Sequence, residues 1–391
     1  MNRPDHNLTP FAFAYFGLFA YMGAAGPWLT TYQRDLGFDQ ATSGKLMAAF
    51  TLSAIIGGWL AARRADARRE RRRLQRALSI VAALAALCWL IVDDPGMALV
   101  ILIVQGACIG PQIPMLDGAT IDALGSERRC YGRVRVWGSV AWGLGTLIIG
   151  AVREFDPTAM AIIPWSMAGW LIVFHVITWR LADTQSPARR ESPRFDLGAA
   201  FRSVPFVALL LASLLHGLAF SNYEYFSART FEDLGVSPLG VSGILLVGIA
   251  FESLVFWVAP RLLARWSALT LASVALLATA GRWWITPHIS SVSGFAMLQP
   301  THAFTFALWY TAAMHLVARL VDDEVRTTGQ TLQFMSFAIG MAIGVAVGGA
   351  IREEHGIATA FQQAAIVDVL AVVVLLAAAR RFTVITPIGS R

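Results

Sequence analysis

The sequence is short of charge, of lysine and of cysteine. Charged residues make up 14% of the 391 residues and hydrophobic residues 56%, whereas soluble domains average about 25% charged. So little charge cannot cover an aqueous surface of this size, which argues against a soluble domain and favours a chain surrounded by lipid. Lys45 is the single lysine among 31 basic residues. The three cysteines have no spacing typical of a metal site or of a disulfide framework.

The motifs of soluble enzymes are also missing. The sequence has no phosphate-binding loop, no nucleophile–base arrangement and no metal-ligand spacing, so we expect neither an enzyme nor a bound cofactor. A net charge of +6 would favour nucleic acid as the partner of a soluble protein. Here the arginines lie in short segments between apolar runs, where a membrane explains them better, and we expect no nucleic-acid partner.

Long apolar runs make up most of what remains. A membrane-spanning helix needs about 20 mostly apolar residues. The first run is too long for a signal peptide and lacks a convincing cleavage site, so it counts as a span. The runs predict an all-α membrane protein with twelve transmembrane helices, at 11–32, 42–62, 77–93, 97–122, 134–152, 158–181, 204–228, 240–262, 267–287, 292–318, 328–350 and 357–380.

A polar segment divides these runs into two sets of six. Residues 182–203 contain two prolines and several arginines, and we interpret them as a cytoplasmic linker. The predicted domains are an N-terminal six-helix bundle at 1–181 and a C-terminal six-helix bundle at 204–391. A layout of this kind is typical of membrane folds built from two pseudo-symmetric repeats.

The arginines indicate how the chain is oriented. Of the 30 arginines, 25 lie at the two termini or in the segments on the same side of the membrane, eight of them in 63–76. Positive residues collect on the cytoplasmic side, so we expect both termini to be cytoplasmic, in the inner membrane of a bacterium. We interpret segment 63–76 as a topology anchor that contacts anionic lipid.

Three spans of the second half each carry one charged or titratable group. Inserting such a group costs roughly 2.5–3.5 kcal/mol, and Glu252, Arg282 and His302 fall on successive spans. A histidine titrates near neutral pH, and a carboxylate responds to a nearby cation. The trio is therefore a candidate proton-coupling site. The alternative is a cluster that only holds the helices together.

The first half has a smaller set. Asp117 lies in the fourth span, beyond Pro111 and Pro114, which should kink that helix. Arg135 opens the fifth span and Trp142 follows seven residues later, about two helical turns, so both lie on one helix face. Such a set can bind a polar group and stack against a ring, and it is the candidate substrate site. The alternative is a structural Asp117–Arg135 pair.

Other residues in the spans give weaker signals. Asp368 lies deep in the last span without a predicted partner, and the lone His216 is interpreted as a packing residue. Gly340, Gly344 and Gly348 are four residues apart in the eleventh span. Small residues at this spacing predict close helix packing.

The segment Tyr131–Ser139 reads YGRVRVWGS and follows the sequence Pro-Met-Leu that precedes Asp117. Together they resemble the phenylpropionate permease group of the major facilitator superfamily, which is related to lactose permease. Glu252, Arg282 and His302 match the glutamate, arginine and histidine that this family carries on three successive helices. The resemblance covers most of the chain.

The resemblance implies the major facilitator fold and proton-coupled uptake of a small solute by alternating access. In lactose permease, the residues matching Asp117 and Arg135 pair with each other and contact sugar, and the residue matching Trp142 stacks on the sugar ring. By the same resemblance, a proton and affinity network includes Glu252, Arg282 and His302.

The sequence departs from lactose permease in the second half. Where that protein has a glutamate, an asparagine and a lysine, this chain has Thr305, Val255 and Gln299. The second half therefore lacks the residues with which lactose permease recognises sugar. The departures leave the proton carrier open between the acidic and histidine side chains of the two sets.

We therefore expect a proton symporter that imports a small organic solute, with an aromatic carboxylate as the first choice of substrate. A sugar or nucleoside symporter is the second choice, and a proton-driven efflux antiporter of drugs or metabolites is a third, because the same fold serves it. The expected driving force is the proton gradient, without a cofactor. The expected form is a monomer in the lipid bilayer.

Overall fold

The computed structural model describes residues 8–68, 71–125, 130–181 and 196–382, and the larger part of the predicted linker lies outside these ranges. The described residues are almost entirely helical and contain no β-strand. The helices are α1 Thr9–Ala25, α2 Leu29–Asp35, α3 Gln40–Arg68, α4 Arg71–Cys88, α5 Pro95–Ile109, α6 Gln112–Leu124, α7 Tyr131–Phe155, α8 Ile162–Thr178, α9 Leu197–Arg202, α10 Val204–Asp233, α11 Pro238–Arg265, α12 Ala268–Ile285, α13 Val292–Leu298, α14 Trp309–Leu320, α15 Arg326–Ala377 and α16 Ala379–Phe382.

The all-helical membrane fold expected from the sequence is confirmed. In the described ranges, eight helices are long and apolar enough to cross a membrane. The first and tenth predicted spans are each divided into shorter helices, and the sixth corresponds to the 17-residue α8. Large apolar side chains such as Ile91, Val100 and Trp257 are exposed, as expected where the surroundings are lipid.

The last two predicted spans lie within α15 and meet at Gly356. This glycine has φ 84° and ψ 167°, a backbone conformation that side chains other than glycine rarely adopt. It separates an arm at 326–355 from an arm at 357–377, in agreement with the two predicted runs. The connection between these spans is therefore a single kinked residue.

The fourth predicted span is broken where its prolines predict a kink. Helix α5 ends at Ile109 and α6 begins at Gln112, with Pro111 between them. Proline has no N–H to continue the hydrogen-bond ladder. The break places Asp117 in the second turn of a new helix.

The described chain divides into two compact units. Of the described residues, the first contains those from 8 to 181 together with 225–242, and the second contains 196–224 and 243–382. In the first unit, α1 packs against α7 and α8, and α3 packs against α5. Between α1 and α7 the backbones touch, because a Cβ on Gly145 would lie 2.2 Å from the Ala20 carbonyl oxygen.

Residues 225–242 are held in the first unit by polar contacts. The Thr30 hydroxyl donates to the Tyr225 carbonyl oxygen at 2.6 Å, and Ser242 donates to the Thr146 carbonyl oxygen at 2.9 Å. The buried Arg153 forms an ion pair with Glu232. These contacts fix the hairpin between α10 and α11.

The second unit is built around α10, α12, α14 and α15. Its buried core includes Phe206, Leu276, Trp309 and Leu375. The predicted glycine packing is confirmed, since a Cβ on Gly340 would lie 2.0 Å from the carbonyl oxygen of Leu214 in α10. Backbone contact therefore fixes α10 against the first arm of α15.

Candidate functional sites

In the first unit, Asp117 is bound by two tyrosines. The Tyr15 hydroxyl of α1 donates to Oδ1 of Asp117 at 2.5 Å. The Tyr131 hydroxyl, at the start of α7, donates to the same oxygen at 2.9 Å. Three helices thus converge on one carboxylate, and the second carboxylate oxygen is left available to a further donor.

Arg135 lies beside this group and contacts aromatic rings. Its guanidinium carbon is 3.9 Å from the ring centre of Phe19 and 5.3 Å from that of Tyr15. The sequence suggested a direct Asp117–Arg135 pair, but within the described residues no hydrogen bond or ion pair joins them. Tyr15 connects the two instead, because it donates to Asp117 and its ring contacts Arg135. Trp142 is partly buried and packs on the core that includes Phe19. Arg135 and Trp142 therefore share a helix face, as predicted.

In the second unit, Glu252 and His302 come together. The His302 Nε2 atom lies 3.5 Å from Oε2 of Glu252. The imidazole packs beside Phe220, with ring centres 6.2 Å apart, and beside Tyr223, at 5.2 Å. A titratable pair with aromatic neighbours can hold a proton away from water.

Arg282 lies next to this pair and is 2% exposed. Its Nη2 donates to Oε1 of Gln299 at 3.0 Å, an oxygen that also accepts from the Tyr223 hydroxyl at 3.0 Å. Arg282 interacts electrostatically with His302. Its Nε and Nη1 atoms are buried without a hydrogen-bond partner, and no described carboxylate lies within 4 Å of it. The guanidinium therefore presents two open donors.

The three residues that the sequence selected in the second half thus lie together. Their roles in proton coupling stay a prediction, as do the substrate-binding roles of Asp117, Arg135 and Trp142. Sequence reasoning missed the tyrosine partners of both sites. Tyr131 is the first residue of the YGRVRVWGS segment, and that motif could have marked it as a candidate site residue. Tyr15 and Tyr223 lie in aromatic-rich runs, where no motif distinguishes them from packing residues.

A second buried pair was not expected. His216 Nδ1 lies 2.7 Å from Oδ1 of Asp368, and His216 Nε2 lies 2.9 Å from the carbonyl oxygen of Thr305. The Trp283 indole N–H donates to Oδ2 of Asp368 at 2.9 Å. Both members of the pair are fully buried. Asp368 therefore has a partner, and His216 does more than fill space.

Apolar spans with buried charged clusters are typical of polytopic membrane proteins that move solutes or ions. A model of the MFS_1 like family matches residues 8–363, and the chain belongs to this family of the major facilitator superfamily. The expectation that it is a transporter and not an enzyme is confirmed by its relatives.

Two curated relatives align over most of the chain. Maltose permease of Geobacillus stearothermophilus is 25% identical over 379 residues, which are 95% of each chain. The probable 3-phenylpropionic acid transporter of Escherichia coli (strain K12) is 24% identical over 86% of this chain and 88% of its own. Their names differ in substrate, so similarity alone leaves the substrate class open.

Two solved structures have the same fold. The nucleoside transporter NupG superposes with a TM-score of 0.82 at 16% identity, covering 96% of this chain and 99% of NupG. A D-xylose–proton symporter superposes with a TM-score of 0.68 at 13% identity, covering 97% of each chain. The major facilitator fold suggested by the sequence is thus confirmed.

Proposed function

We propose that this protein is a proton-coupled symporter that imports an aromatic carboxylate. The observation that carries this proposal is the buried guanidinium of Arg282, with two open donors and aromatic neighbours. A buried cation without a counter-ion is costly, and a guanidinium matches a carboxylate with two parallel hydrogen bonds. A substrate carboxylate would complete the site.

The first unit carries a candidate substrate site of its own. Arg135 and Trp142 lie on one face of α7, and an indole can stack against a substrate ring. Asp117, held by Tyr15 and Tyr131, retains one carboxylate oxygen for a polar group. In this proposal Asp117, Arg135 and Trp142 bind substrate, and Glu252, Arg282 and His302 couple binding to the proton. Arg282 has both roles, because it also binds the substrate carboxylate.

Proton coupling is proposed to use Glu252 as the carrier. With the substrate site open to the outside, Glu252 is protonated and His302 lies beside it. Movement of Arg282 toward the carboxyl favours the carboxylate form, because opposite charges stabilise each other in a buried site. The proton then leaves to the inside, driven by the gradient without a cofactor.

Net charge separates the two leading substrate classes. A monocarboxylate entering with one proton moves no net charge, whereas a neutral sugar entering with one proton moves one positive charge. A sugar or nucleoside is the second candidate, and its support is the maltose permease relative together with the two tyrosine hydroxyls at Asp117, which suit a polyol.

The test uses purified protein in liposomes that contain a pH-sensitive dye. Addition of 3-phenylpropionate should acidify the lumen, and an imposed membrane potential should leave the rate unchanged. Acidification with maltose or uridine that accelerates with an inside-negative potential would establish the second candidate. No acidification with any of the three would overturn proton symport and favour efflux.

Glu252→Gln tests the carrier in the same liposomes. The variant should exchange internal and external substrate but fail to accumulate it under a pH gradient. Glu224→Gln, which changes another carboxyl in the second unit, is the matched control and should accumulate substrate normally. Normal accumulation by Glu252→Gln would remove Glu252 from the mechanism.

The membrane placement follows from the arginines. With 25 of the 30 arginines on the side of the termini, we propose that both termini face the cytoplasm in a bacterial inner membrane. A cysteine-reactive, membrane-impermeant label should fail to reach a cysteine added at either terminus in intact cells. We also propose a monomer, and its mass in detergent can be measured by light scattering.

A further inference from the structure

The buried pair of His216 and Asp368 lies apart from the groups assigned so far. His216 belongs to α10 and Asp368 to the second arm of α15, and their side chains are 1% and 0% exposed. The contact spans 152 residues of sequence. It therefore joins the first and last spans of the C-terminal half by an acid and a base.

The hydrogen-bond partners determine how many protons the pair holds. The Thr305 carbonyl oxygen can only accept, so His216 Nε2 must carry a hydrogen. The Trp283 N–H that donates to Asp368 favours the carboxylate form, so the further proton between the two side chains belongs to His216 Nδ1. The resulting imidazolium–carboxylate pair has zero net charge. Removal of that proton would leave a buried, uncompensated negative charge.

The surroundings keep this proton from water. Phe220, Trp309 and Phe337 pack around the imidazole, with ring-centre distances of 6.1, 5.1 and 5.7 Å. Among the described residues, His216 and Trp283 are the side chains that hydrogen-bond to Asp368. The pair is thus isolated in an apolar shell.

Other titratable groups face this region from the elements that pack around it. Tyr223 of α10 and Arg282 of α12 both bond to Gln299. Arg352 of α15 lies over the ring of Phe361, 5.7 Å from its centre. His302 also packs against Phe220, with ring centres 6.2 Å apart. Phe220 therefore contacts both histidines and lies between the pair and the Glu252–His302 group in the chain of ring contacts.

The acceptor of His216 lies in an irregular turn. Thr305 belongs to a π-helix at Phe304–Leu308, between a 3-10 turn and α14. Such turns shift the backbone ladder and occur frequently at functional sites. A return of this turn to α-helical register would redirect the Thr305 carbonyl to a backbone N–H. His216 would then lose an acceptor that favours its protonated form.

We propose that His216 and Asp368 form a second proton-binding site, which holds one proton jointly and releases it when the π-helical turn at Thr305 changes register. The use of this proton in transport rests on the proposed symport. The existence of the site does not, because it follows from the geometry of the pair.

The site itself is tested by nitrogen NMR of the full-length protein labelled at histidine, in detergent and without substrate. His216→Asn assigns the His216 signals among the seven histidines. In the wild type, the signals of both His216 nitrogens should be those of nitrogens that carry a hydrogen. In Asp368→Asn, the His216 Nδ1 signal should move to that of an unprotonated nitrogen. The same His216 signals in both proteins, or a wild-type Nδ1 signal typical of an unprotonated nitrogen, would overturn the proposal.

Asp368→Asn is suited to this test because it preserves the contacts. An amide N–H can donate to a neutral His216, and the amide oxygen can accept from Trp283, so both neighbours keep a hydrogen bond to this side chain. The variant lacks only the transferable proton. Ser213→Ala is the matched control, since Ser213 accepts from Gln333 at 3.0 Å and so links α10 to α15 without a titratable group.

Transport with 3-phenylpropionate, maltose and uridine as probes then tests the use of the proton. Asp368→Asn should retain exchange of a transported probe and lose gradient-driven accumulation by about tenfold or more, whereas Ser213→Ala should retain both. Equal accumulation by Asp368→Asn and the wild type would exclude a transport role. Failure of the wild type to move protons would overturn the proposed symport, and the NMR result would still decide the site.

Discussion

Arg282 and Tyr223 donate to the same acceptor, and the guanidinium of Arg282 lies over the ring of Tyr223. The guanidinium carbon is 4.3 Å from the Tyr223 ring centre, and both side chains donate to Oε1 of Gln299. This arrangement orients the guanidinium and leaves Nε and Nη1 open. Substrate affinity should therefore depend on the shape of the cation as well as on its charge.

Arg282→Lys should weaken binding of 3-phenylpropionate by about tenfold or more, because an ammonium cannot make two parallel bonds to a carboxylate. Tyr223→Phe should have a smaller effect, since the ring is retained. Binding is measured as the concentration for half-maximal uptake. A lysine variant with unchanged affinity would show that Arg282 does not bind the carboxylate.

Tyr15→Phe and Tyr131→Phe should each destabilise the first unit by about 1.5–3 kcal/mol, because each removes a hydrogen bond to a charged group. The double variant should lose a different amount from the sum, since both hydroxyls bind the same oxygen. Thermal unfolding in detergent measures the effect. Tyr32→Phe is the control, because Tyr32 donates to the neutral carbonyl of Trp89 and its loss should be smaller. Equal losses for all three would show that a hydrogen bond to Asp117 contributes no more than one to a backbone carbonyl.

Glu232→Gln should destabilise the hairpin at 225–242 by about 3 kcal/mol, because it leaves the buried Arg153 without its counter-ion. Asp233→Asn changes a neighbouring pair with Arg34 in which both side chains are 28–29% exposed, and it should cost less than about 1 kcal/mol. The two unfolding midpoints are compared in detergent. Similar midpoints would show that burial of Arg153 does not govern this contact.

Gly145→Ala should destabilise the protein strongly, because its Cβ would meet the Ala20 carbonyl and force the backbones of α1 and α7 apart. Gly169→Ala is the control, since no atom lies within 4 Å of its added Cβ and alanine favours helix. Yield and unfolding midpoint should fall for the first variant only. A stable Gly145→Ala would mean that the helices separate without cost.

Asp39 stabilises the start of α3 outside the membrane. The Thr42 backbone N–H donates to its carboxylate at 2.6 Å and lowers the pKa of Asp39 below its ordinary value. This stabilisation is complete above the unfolded-state pKa of Asp39 and is lost as pH falls through the folded-state pKa. Asp39→Ala should cost about 1 kcal/mol at neutral pH, and Asp39→Asn should cost less and lose the acid dependence. Unfolding midpoints across the acidic range measure both.

The fold was largely predictable because its signals are local. Three kinds of signal each determine the structure of the residues around them. They are the apolar runs, the prolines near residue 111 and the break in the apolar sequence between 350 and 357. The helix of the fourth span is interrupted at Pro111, and α15 is kinked at Gly356. The division of the tenth span was not predictable, because a π-helical turn depends on side chains packed against it from other helices.

The sites were predictable only in part. Glu252, Arg282 and His302 stand out because each is a polar group in an apolar run. Their partners are common residues brought together by tertiary packing. Tyr15 reaches Asp117 across 102 residues of sequence, and no local pattern marks such a contact.

The backbone contacts at glycine also bear on how this sequence can change in evolution. Gly145 against Ala20 and Gly340 against Leu214 allow no side chain, so we expect each such position to accept glycine alone. Exposed side chains such as Trp257 can change without moving a helix. Relatives that keep the same frame at about a quarter identity, and carry different substrates in their names, are what this unequal tolerance would produce.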